Sequence, residues 1–268
     1  MQGKSIFITG GGSGIGRAVA QLFAARGWFI GLTDVNEAGM AETEALLPPG
    51  SCYKHKLDVR DRAAWDEALA AFSVAAGGHI DVMFNNAGVG TGGMLDELGQ
   101  DEIDLLTDVN FRGVIYGAQA AYPHLKKAAP GSALVNTASA AALYGSGGLA
   151  VYSATKFGVR GLTEALDTEW KDDGIRVCSL MPSFIDTPLL AGPANRSSNI
   201  TKRDSVVRAG LEFTPVEEVA ETVWQAVHGT VLHNLVGKTA RKMAFAAKWM
   251  PGKMRARSRN LMKQRTGR

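Results

Sequence analysis

The chain has 268 residues, of which 46% are hydrophobic and 21% are charged, which is typical of a soluble globular protein and excludes a disordered one. No run of about 18 apolar residues occurs, so no transmembrane helix is predicted, and the N-terminus lacks a signal-peptide pattern. Cys52 and Cys178 lack metal-ligand spacing. They therefore predict reduced thiols in a cytoplasmic protein, with no metal site.

Strand-like and helix-like segments alternate along the chain. The predicted strands span residues 4–9, 29–33, 53–57, 81–84, 132–136, 176–180 and 231–235. The predicted helices span residues 14–26, 36–47, 61–76, 101–126, 150–173 and 215–228. Such alternation predicts an α/β fold: a single Rossmann-type doubly wound parallel sheet of about seven strands with helices on both faces. Residues 182–213 show no clear period, and so long a loop is usually functional or mobile.

The charge is divided unevenly along the chain. Residues 238–268 contain eleven Lys or Arg and no Asp or Glu, which leaves 18 basic and 26 acidic residues in 1–237 and a net charge there of −8. We therefore predict one α/β domain over 1–237 and a basic helical extension over 238–268, divided by Pro251 and Gly252. Three interpretations of the extension remain open. It could pack on the acidic body or a second subunit, or touch an anionic membrane surface; nucleic acid is not expected, because no recognised nucleic-acid fold accompanies it.

A glycine-rich turn over residues 10–16 (GGGSGIG) joins the first strand to the first helix. Glycines let the backbone turn tightly and approach a pyrophosphate, while the helix N-terminus supplies N–H donors. This context predicts a dinucleotide site. The residues predicted to bind the cofactor here are Gly10, Ser13, Gly14, Ile15 and Gly16.

Asp34 ends the second predicted strand, 18 residues beyond Gly16. A carboxylate at this place can accept hydrogen bonds from the adenosine ribose hydroxyls and would repel a ribose phosphate. Val35 and Asn36 carry no positive charge, and only Arg17 could compensate a phosphate. The sequence therefore favours NAD over NADP. Asp34 could in addition be a helix N-cap.

Tyr152 and Lys156 are four residues apart in a predicted helix, so their side chains share one face. An ammonium group beside a phenol favours the phenolate and lowers the tyrosine pKa. A phenol adjusted in this way can exchange a proton with an alcohol oxygen.

With these residues in place, the chain resembles the short-chain dehydrogenases/reductases over about residues 3–237. The matching motifs, in the family's order, are residues 9–16 (TGxxxGIG), Asp58-Val59, residues 85–88 (NNAG), Asn110, the set Ser139, Tyr152 and Lys156, and residues 182–187, where Ser183 replaces the usual glycine. The resemblance implies that Asp58 and Val59 contact the adenine. It also implies that Asn86, Ala87, Gly88, Pro182, Ile185 and Thr187 bind the cofactor.

The resemblance further implies hydride transfer between NAD(H) and an alcohol or ketone carbon. Tyr152 would be the general acid/base, and Lys156 would lower its pKa and bind the nicotinamide ribose. Ser139 would hold the substrate oxygen, and Asn110 would position a water that links Lys156 to solvent. Family members commonly associate through the helices at 101–126 and 150–173, which implies a homodimer or homotetramer.

The predicted substrate pocket is apolar and contains no Arg or Lys. Its residues are Val89, Met94, Ala141, Leu143, Tyr144, Phe184, Leu189 and Leu190, covered by residues 188–213. This composition favours a hydrophobic secondary alcohol or its ketone over an acidic substrate. Two alternatives remain. One is an NADP(H)-dependent carbonyl reductase, which Asp34 disfavours. The other is a non-catalytic cofactor-binding scaffold; loss of a catalytic residue would indicate it, and none is missing here.

Overall fold

A seven-stranded, fully parallel sheet forms the centre of the computed structural model, which describes residues 3–195 and 199–266, without the side chains of 261 and 263–266. The strands are β1 (Ser5–Thr9), β2 (Phe29–Asp34), β3 (Cys52–Lys56), β4 (Val82–Asn85), β5 (Ala133–Thr137), β6 (Arg176–Pro182) and β7 (His233–Val236). Their order is β3-β2-β1-β4-β5-β6-β7. The direction of winding reverses between β1 and β4, where open sheets of this class bind ligands. The predicted fold class is confirmed.

Helices cover both faces of this sheet. They are α1 (Gly14–Ala25), α2 (Glu37–Glu44), α3 (Arg62–Ala75), α4 (Gln100–Thr107), α5 (Gly113–Ala128), α6 (Ala150–Glu169), α7 (Lys202–Arg208), α8 (Val216–His228), α9 (Lys238–Trp249) and α10 (Pro251–Thr266). Successive residues of a strand point to opposite faces. In β1, Ile6 and Ile8 therefore join the core beneath α1 and α8, while Phe7 packs with Trp65 and Phe72 on the other side. Burial on both faces explains why the central strands β1, β4 and β5 are mostly apolar.

The helix predicted over residues 101–126 is present over 100–128, but it is not a uniform α-helix. A π-helical turn, Asp108–Arg112, separates α4 from α5. Such turns often occur at functional sites. Here the side chain of Asn110 leaves the helix to bind the backbone of Val89, accepting from its N–H at 2.8 Å and donating to its carbonyl at 2.8 Å.

The aperiodic segment 182–213 also contains short helices. A 3₁₀ turn spans Pro188–Leu190, and α7 begins after Thr201, whose hydroxyl accepts a hydrogen bond from the N–H of Asp204. Both elements are too short to give a periodic pattern. Residues 196–198 of the predicted lid lie outside the described part of the chain.

The basic extension folds into α9 and α10, with the division at Met250 just before the predicted Pro251 and Gly252. It packs on the body: Ala240 is fully buried. Ion pairs join Lys238 to Glu212 at 3.6 Å and Arg241 to Glu218 at 3.8 Å. None of the helices in the described residues has both the length and the apolar character needed to cross a membrane.

Candidate active site

The glycine-rich turn lies between β1 and α1 as predicted, at the reversal point of the sheet. Gly14 has a φ of +51°, a conformation that favours glycine. A Cβ on Gly16 would overlap the carbonyl oxygen of Gly10. The turn therefore closes only because these residues lack side chains.

The first helical turn after these glycines is open at its N-terminus. Ser13 is the N-cap residue of α1, but its side chain makes no capping hydrogen bond. The first N–H groups of a helix have no partner within the helix, and with the helix dipole they attract anions. Gly10, Ser13, Gly14 and Ile15 line a large cavity at this edge of the sheet, whereas Gly16 packs behind the turn. These residues fit a bound pyrophosphate.

Asp34 lies at the end of β2 and lines the same cavity. Its carboxylate accepts hydrogen bonds from the N–H groups of Gly12 at 3.0 Å and Asn36 at 2.9 Å. The suggestion that Asp34 is a helix N-cap is wrong, because the side chain of Asn36 caps α2 by accepting from the N–H of Gly39. Asp34 is thus held at the cavity by the backbone of the glycine turn.

Arg17, the cation that the sequence suggested as a balance for a ribose phosphate, is already engaged. Its guanidinium donates to the carbonyl of Gly12 at 2.6 Å and pairs with Glu42 at 2.7 Å. It also donates to the hydroxyl of Thr43 at 3.0 Å. Arg17 therefore braces the turn against α2.

Asp58 and Val59 follow β3 and line the cavity, as predicted. The Asp58 carboxylate binds Arg60 through both oxygens, at 3.0 and 2.6 Å. This guanidinium lowers the pKa of the Asp58 carboxyl. The carbonyl of Val59 accepts a hydrogen bond from the buried indole of Trp65 at 3.0 Å, which fixes this part of the wall.

The other predicted cofactor residues come together at the same edge. Asn86, Ala87, Gly88, Pro182, Ile185 and Thr187 all line the cavity. Thr9 organises the segment after β4, because its hydroxyl accepts from the N–H groups of Asn86 and Ala87, both at 3.0 Å. The Asn86 side chain in turn donates to the carbonyl of Thr9 at 2.9 Å.

The cavity wall also includes three of the predicted catalytic residues, Ser139, Tyr152 and Lys156. The Ser139 hydroxyl, which accepts a hydrogen bond from the N–H of Ala141 at 3.1 Å, acts on the Tyr152 phenol and partly offsets the rise in its pKa that burial causes. The Lys156 ammonium lies 5.8 Å from the centre of the Tyr152 ring and donates to the carbonyl of Thr137 at 2.8 Å. Lys156 is only 3% exposed, and the exposed part of Tyr152 faces the cavity. A phenol, a hydroxyl and an ammonium group therefore surround one small volume.

The expectation that the Tyr152 pKa falls is wrong for this structure. Burial raises the pKa of the Tyr152 phenol, and the hydrogen bond from Ser139 opposes that rise. Burial also lowers the pKa of Lys156 to about 8. At 5.8 Å from the ring, the ammonium does not outweigh removal of the phenolate from water.

Asn110 does not line the cavity, unlike the other three predicted catalytic residues. It is fully buried, and both ends of its amide bind the backbone of Val89. Val89 itself does line the cavity. Asn110 therefore shapes the wall from behind, by holding the segment that follows β4.

A buried polar network beneath the site was missed in the sequence. The amide of Asn85 donates to the side chain of Asn136 at 3.0 Å, and Asn136 donates to the hydroxyl of Thr163 at 3.1 Å. The network joins the ends of β4 and β5 to α6, which carries Tyr152 and Lys156. The sequence signal for this network is Asn136, a polar residue within the apolar strand predicted over residues 132–136.

The substrate side of the cavity differs partly from the prediction. The cavity measures about 2300 Å³ and is lined by Val89, Met94, Ala141, Tyr144, Phe184, Leu189 and Leu190, as predicted. Leu143 is not on this wall; it packs against the small core that contains Val159 and Met181. The expectation of a wall without cations is wrong, because α7, α9 and α10 add Lys202, Arg208, Lys238, Arg241, Lys242 and Arg257.

The parallel sheet and the glycine turn at its reversal point define a dinucleotide-binding protein of the Rossmann class. A family model described as short chain dehydrogenase matches residues 4–196. Cyclohexanol dehydrogenase of an Acinetobacter species is 36% identical over 224 residues, covering 82% of this chain and 86% of that protein. Meso-2,3-butanediol dehydrogenase of Serratia marcescens is 34% identical over 207 residues, covering 77% and 81%.

Among solved structures, a short chain dehydrogenase/reductase from Burkholderia phymatum in complex with NAD superposes with a TM-score of 0.83. It is 27% identical and covers 96% of this chain and 95% of its own. The protein therefore belongs to the short-chain dehydrogenase family and is an oxidoreductase of alcohols or ketones, which confirms the resemblance found in the sequence.

Proposed function

We propose that this protein transfers a hydride between NAD(H) and a hydrophobic secondary alcohol or its ketone. The observation that carries the proposal is the position of Ser139, Tyr152 and Lys156. They share one cavity with the open N-terminus of α1 and with Asp34.

The preference for NAD rests on Asp34 and Arg17. The Asp34 carboxylate accepts one hydrogen bond each from Gly12 and Asn36, and its remaining lone pairs can accept hydrogen bonds from ribose hydroxyls. A phosphate on the same ribose would meet this negative charge, while Arg17 is held by Glu42 and Gly12. The Burkholderia relative, solved with NAD, supports the assignment.

A nicotinamide cofactor, held by the glycine turn, Asp34 and Lys156, would supply the hydride acceptor for alcohol oxidation and the hydride donor for ketone reduction. Tyr152 takes the alcohol proton during oxidation and returns it during reduction. Ser139 donates a hydrogen bond to the substrate oxygen and so stabilises negative charge that develops there. Lys156 binds the nicotinamide ribose and supplies positive charge near the phenol. Asn110 positions the wall at Val89.

The substrate class follows from the apolar surface above Tyr152. Met94, Ala141, Phe184 and Leu189 are on this surface, and they favour a substrate with a hydrophobic body. The cations from α7, α9 and α10 line the same cavity, and two of them, Lys238 and Arg241, are paired with Glu212 and Glu218. The names of two relatives, cyclohexanol dehydrogenase and meso-2,3-butanediol dehydrogenase, identify those proteins as acting on secondary alcohols.

We also propose that the protein acts in the cytoplasm as a homodimer or homotetramer. Phe157 on α6 supports self-association, because it is a large apolar side chain that is 41% exposed and lies outside the cavity wall. Light scattering at several protein concentrations gives the oligomeric state. A monomer at all concentrations would contradict this part of the proposal.

Nicotinamide absorbance, followed with a panel of secondary alcohols and ketones and with both NAD and NADP, tests the function. We expect turnover with NAD, and a loss of at least about 100-fold in kcat for Tyr152→Phe, because the ring remains and only the proton-carrying hydroxyl is removed. Tyr116→Phe, on α5 and away from the cavity, is the matched control and should keep wild-type kcat. Strict dependence on NADP would overturn the role of Asp34, and full activity of Tyr152→Phe would overturn the mechanism.

A further inference from the structure

The C-terminal extension contributes to the wall of the cavity that holds Tyr152. Helix α9 packs against β7 and against the 3₁₀ turn Ala140–Ala142, which directly follows Ser139. Met243 and Ala246 of α9 line the cavity. The extension is thus a neighbour of the proposed catalytic residues, although it lies almost 90 residues further along the chain.

Helix α10 presents one particular face to the cavity. Met254, Ser258 and Met262 follow one another at intervals of four residues, which places them on one side of α10. All three line the cavity, together with Met250 just before the helix and with Arg257. Between residues 251 and 260, only Met254 and Ser258 are half-buried, and the others are exposed. The burial pattern and the cavity wall therefore identify the same face.

The far end of α10 reaches the loop between Ser139 and Tyr152. A Cβ added to Gly147 would come within 2.6 Å of Met262 Cγ and 2.7 Å of its sulfur. Gly147 itself also lines the cavity. Helix α10 therefore packs against the loop that begins after Ser139 and ends at Tyr152, two of the proposed catalytic residues.

The size of the cavity leaves room for more than the cofactor. Ligand pockets commonly measure about 300–1,000 Å³, whereas this cavity measures about 2300 Å³. Space for a large substrate therefore remains above the cofactor, between the apolar surface at Phe184 and the methionines of α10.

We propose that α10 is the end wall of the substrate site and that this site accepts alcohols and ketones with a long or bulky apolar body. Met254, Ser258 and Met262 contact the end of the substrate that is remote from the reacting carbon. Methionine is unbranched and polarizable, so a wall of this kind adapts to apolar bodies of different shape. The inference rests on the proposed function, whose substrate class it makes more specific.

The test compares a homologous series from 2-butanol to 2-decanol, with NAD as cofactor, in the full-length chain. In the wild type, kcat/KM should rise about fourfold for each methylene that becomes buried, until the chain reaches α10. Ser258→Trp narrows the site from the end wall, so this rise should stop at a shorter alcohol. The ratio of kcat/KM for 2-decanol to that for 2-butanol should fall at least tenfold.

Arg259→Trp is the matched control, because it introduces the same side chain one residue later, at an exposed position outside the cavity wall. It should keep the wild-type ratio. Met254→Ala lengthens the site and should move the plateau to a longer alcohol, which tests the proposal with a small change if Ser258→Trp folds poorly. Thermal unfolding and the Kd for NAD show that each variant is folded.

An identical plateau in the wild type, Ser258→Trp and Met254→Ala would overturn the proposal. Turnover of 2-butanol by the wild type reports on the proposed function itself. If 2-butanol is oxidised but the plateau does not respond to α10, the proposed function stands and only this inference fails.

Discussion

The cofactor side and the substrate side of the cavity depend on different parts of the chain. On the cofactor side, the glycine turn brings the backbone of Gly10 and Gly14 to the cavity and leaves no space for a Cβ at Gly16. Arg17 and Thr9 brace this turn through hydrogen bonds to neighbouring segments. On the substrate side, the wall consists of side chains from separate loops and from the extension, several of them methionines.

This difference shows how the two sides tolerate change. A surface made of backbone cannot yield to an added atom without moving a main-chain segment, because the close-packed interior has little free volume. A surface made of methionines changes shape by rotating side chains. The cofactor side therefore fixes the chemistry, while the substrate side can be altered with much smaller consequences.

The largest effect expected from this comparison is that of Gly16→Ala. The added Cβ would overlap the carbonyl oxygen of Gly10, so the turn must shift and lose at least one hydrogen bond to the charged pyrophosphate. Such bonds contribute roughly 1.5–3 kcal/mol, and affinity for NAD should fall about 10- to 100-fold. Isothermal titration with NAD measures the change.

Gly252→Ala is the control for this prediction, because a Cβ at Gly252 in α10 meets no atom within 4 Å. It should bind NAD as the wild type does. Equal NAD affinities for Gly16→Ala and the wild type would show that the turn is less constrained than its packing indicates.

The pH dependence of ketone reduction reports on the two residues proposed to take part in proton transfer, Tyr152 and Lys156. Reduction needs the proton on Tyr152, whose pKa is raised by burial, and the ammonium of Lys156, whose pKa burial lowers to about 8. We expect kcat/KM to be level below pH 8 and to fall about tenfold per pH unit above it. A profile that stays level to pH 9.5 would exclude the proposed role of Lys156.

The same group links stability to pH with a definite sign. The pKa of Lys156 falls from 10.5 to about 8 on folding, so between these values the unfolded chain binds more protons than the folded one. Stability therefore rises with pH across this window through Lys156. Urea unfolding of the wild type and Lys156→Met at pH 7.5 and 10 measures this contribution, which should be absent in the variant.

The cofactor side could be predicted from the sequence because its residues lie close together in the chain and follow strand ends. The turn at 10–16 and Asp34 needed only the strand–helix alternation to be placed. Helical spacing predicted that Tyr152 and Lys156 share one face, whereas their roles were implied by the resemblance to the family. These positions depend on local geometry, which a sequence pattern reports directly.

The substrate side could not be predicted to the same extent, since it is assembled from distant segments. Nothing in the pattern around Met262 indicates that it packs on Gly147. The π-helical turn at Asn110 was missed because a single inserted residue scarcely changes helical periodicity. The raised pKa of Tyr152 depends on the depth of its burial, which spacing alone does not give.

The smallest expected effect concerns the outer face of the extension. Lys253 and Arg255 on α10 are exposed and lie outside the cavity wall, and Trp249 is 64% exposed beside them. Each cation near an anionic membrane contributes about 1 kcal/mol, and salt screens this attraction. We expect weak sedimentation with vesicles containing phosphatidylserine at low salt, and none with neutral phosphatidylcholine vesicles.

A double substitution, Lys253→Glu with Arg255→Glu, should abolish this sedimentation without changing kcat for 2-butanol, because neither side chain reaches the cavity. Glu67→Lys and Glu169→Lys add positive charge at exposed positions on α3 and α6. They test whether positive charge elsewhere on the surface promotes sedimentation as the natural cations of α10 do. Sedimentation that is equal for anionic and neutral vesicles, or insensitive to salt, would contradict this membrane contact. The basic residues of α10 would then serve only to keep its outer face solvated, opposite the face that carries Met254.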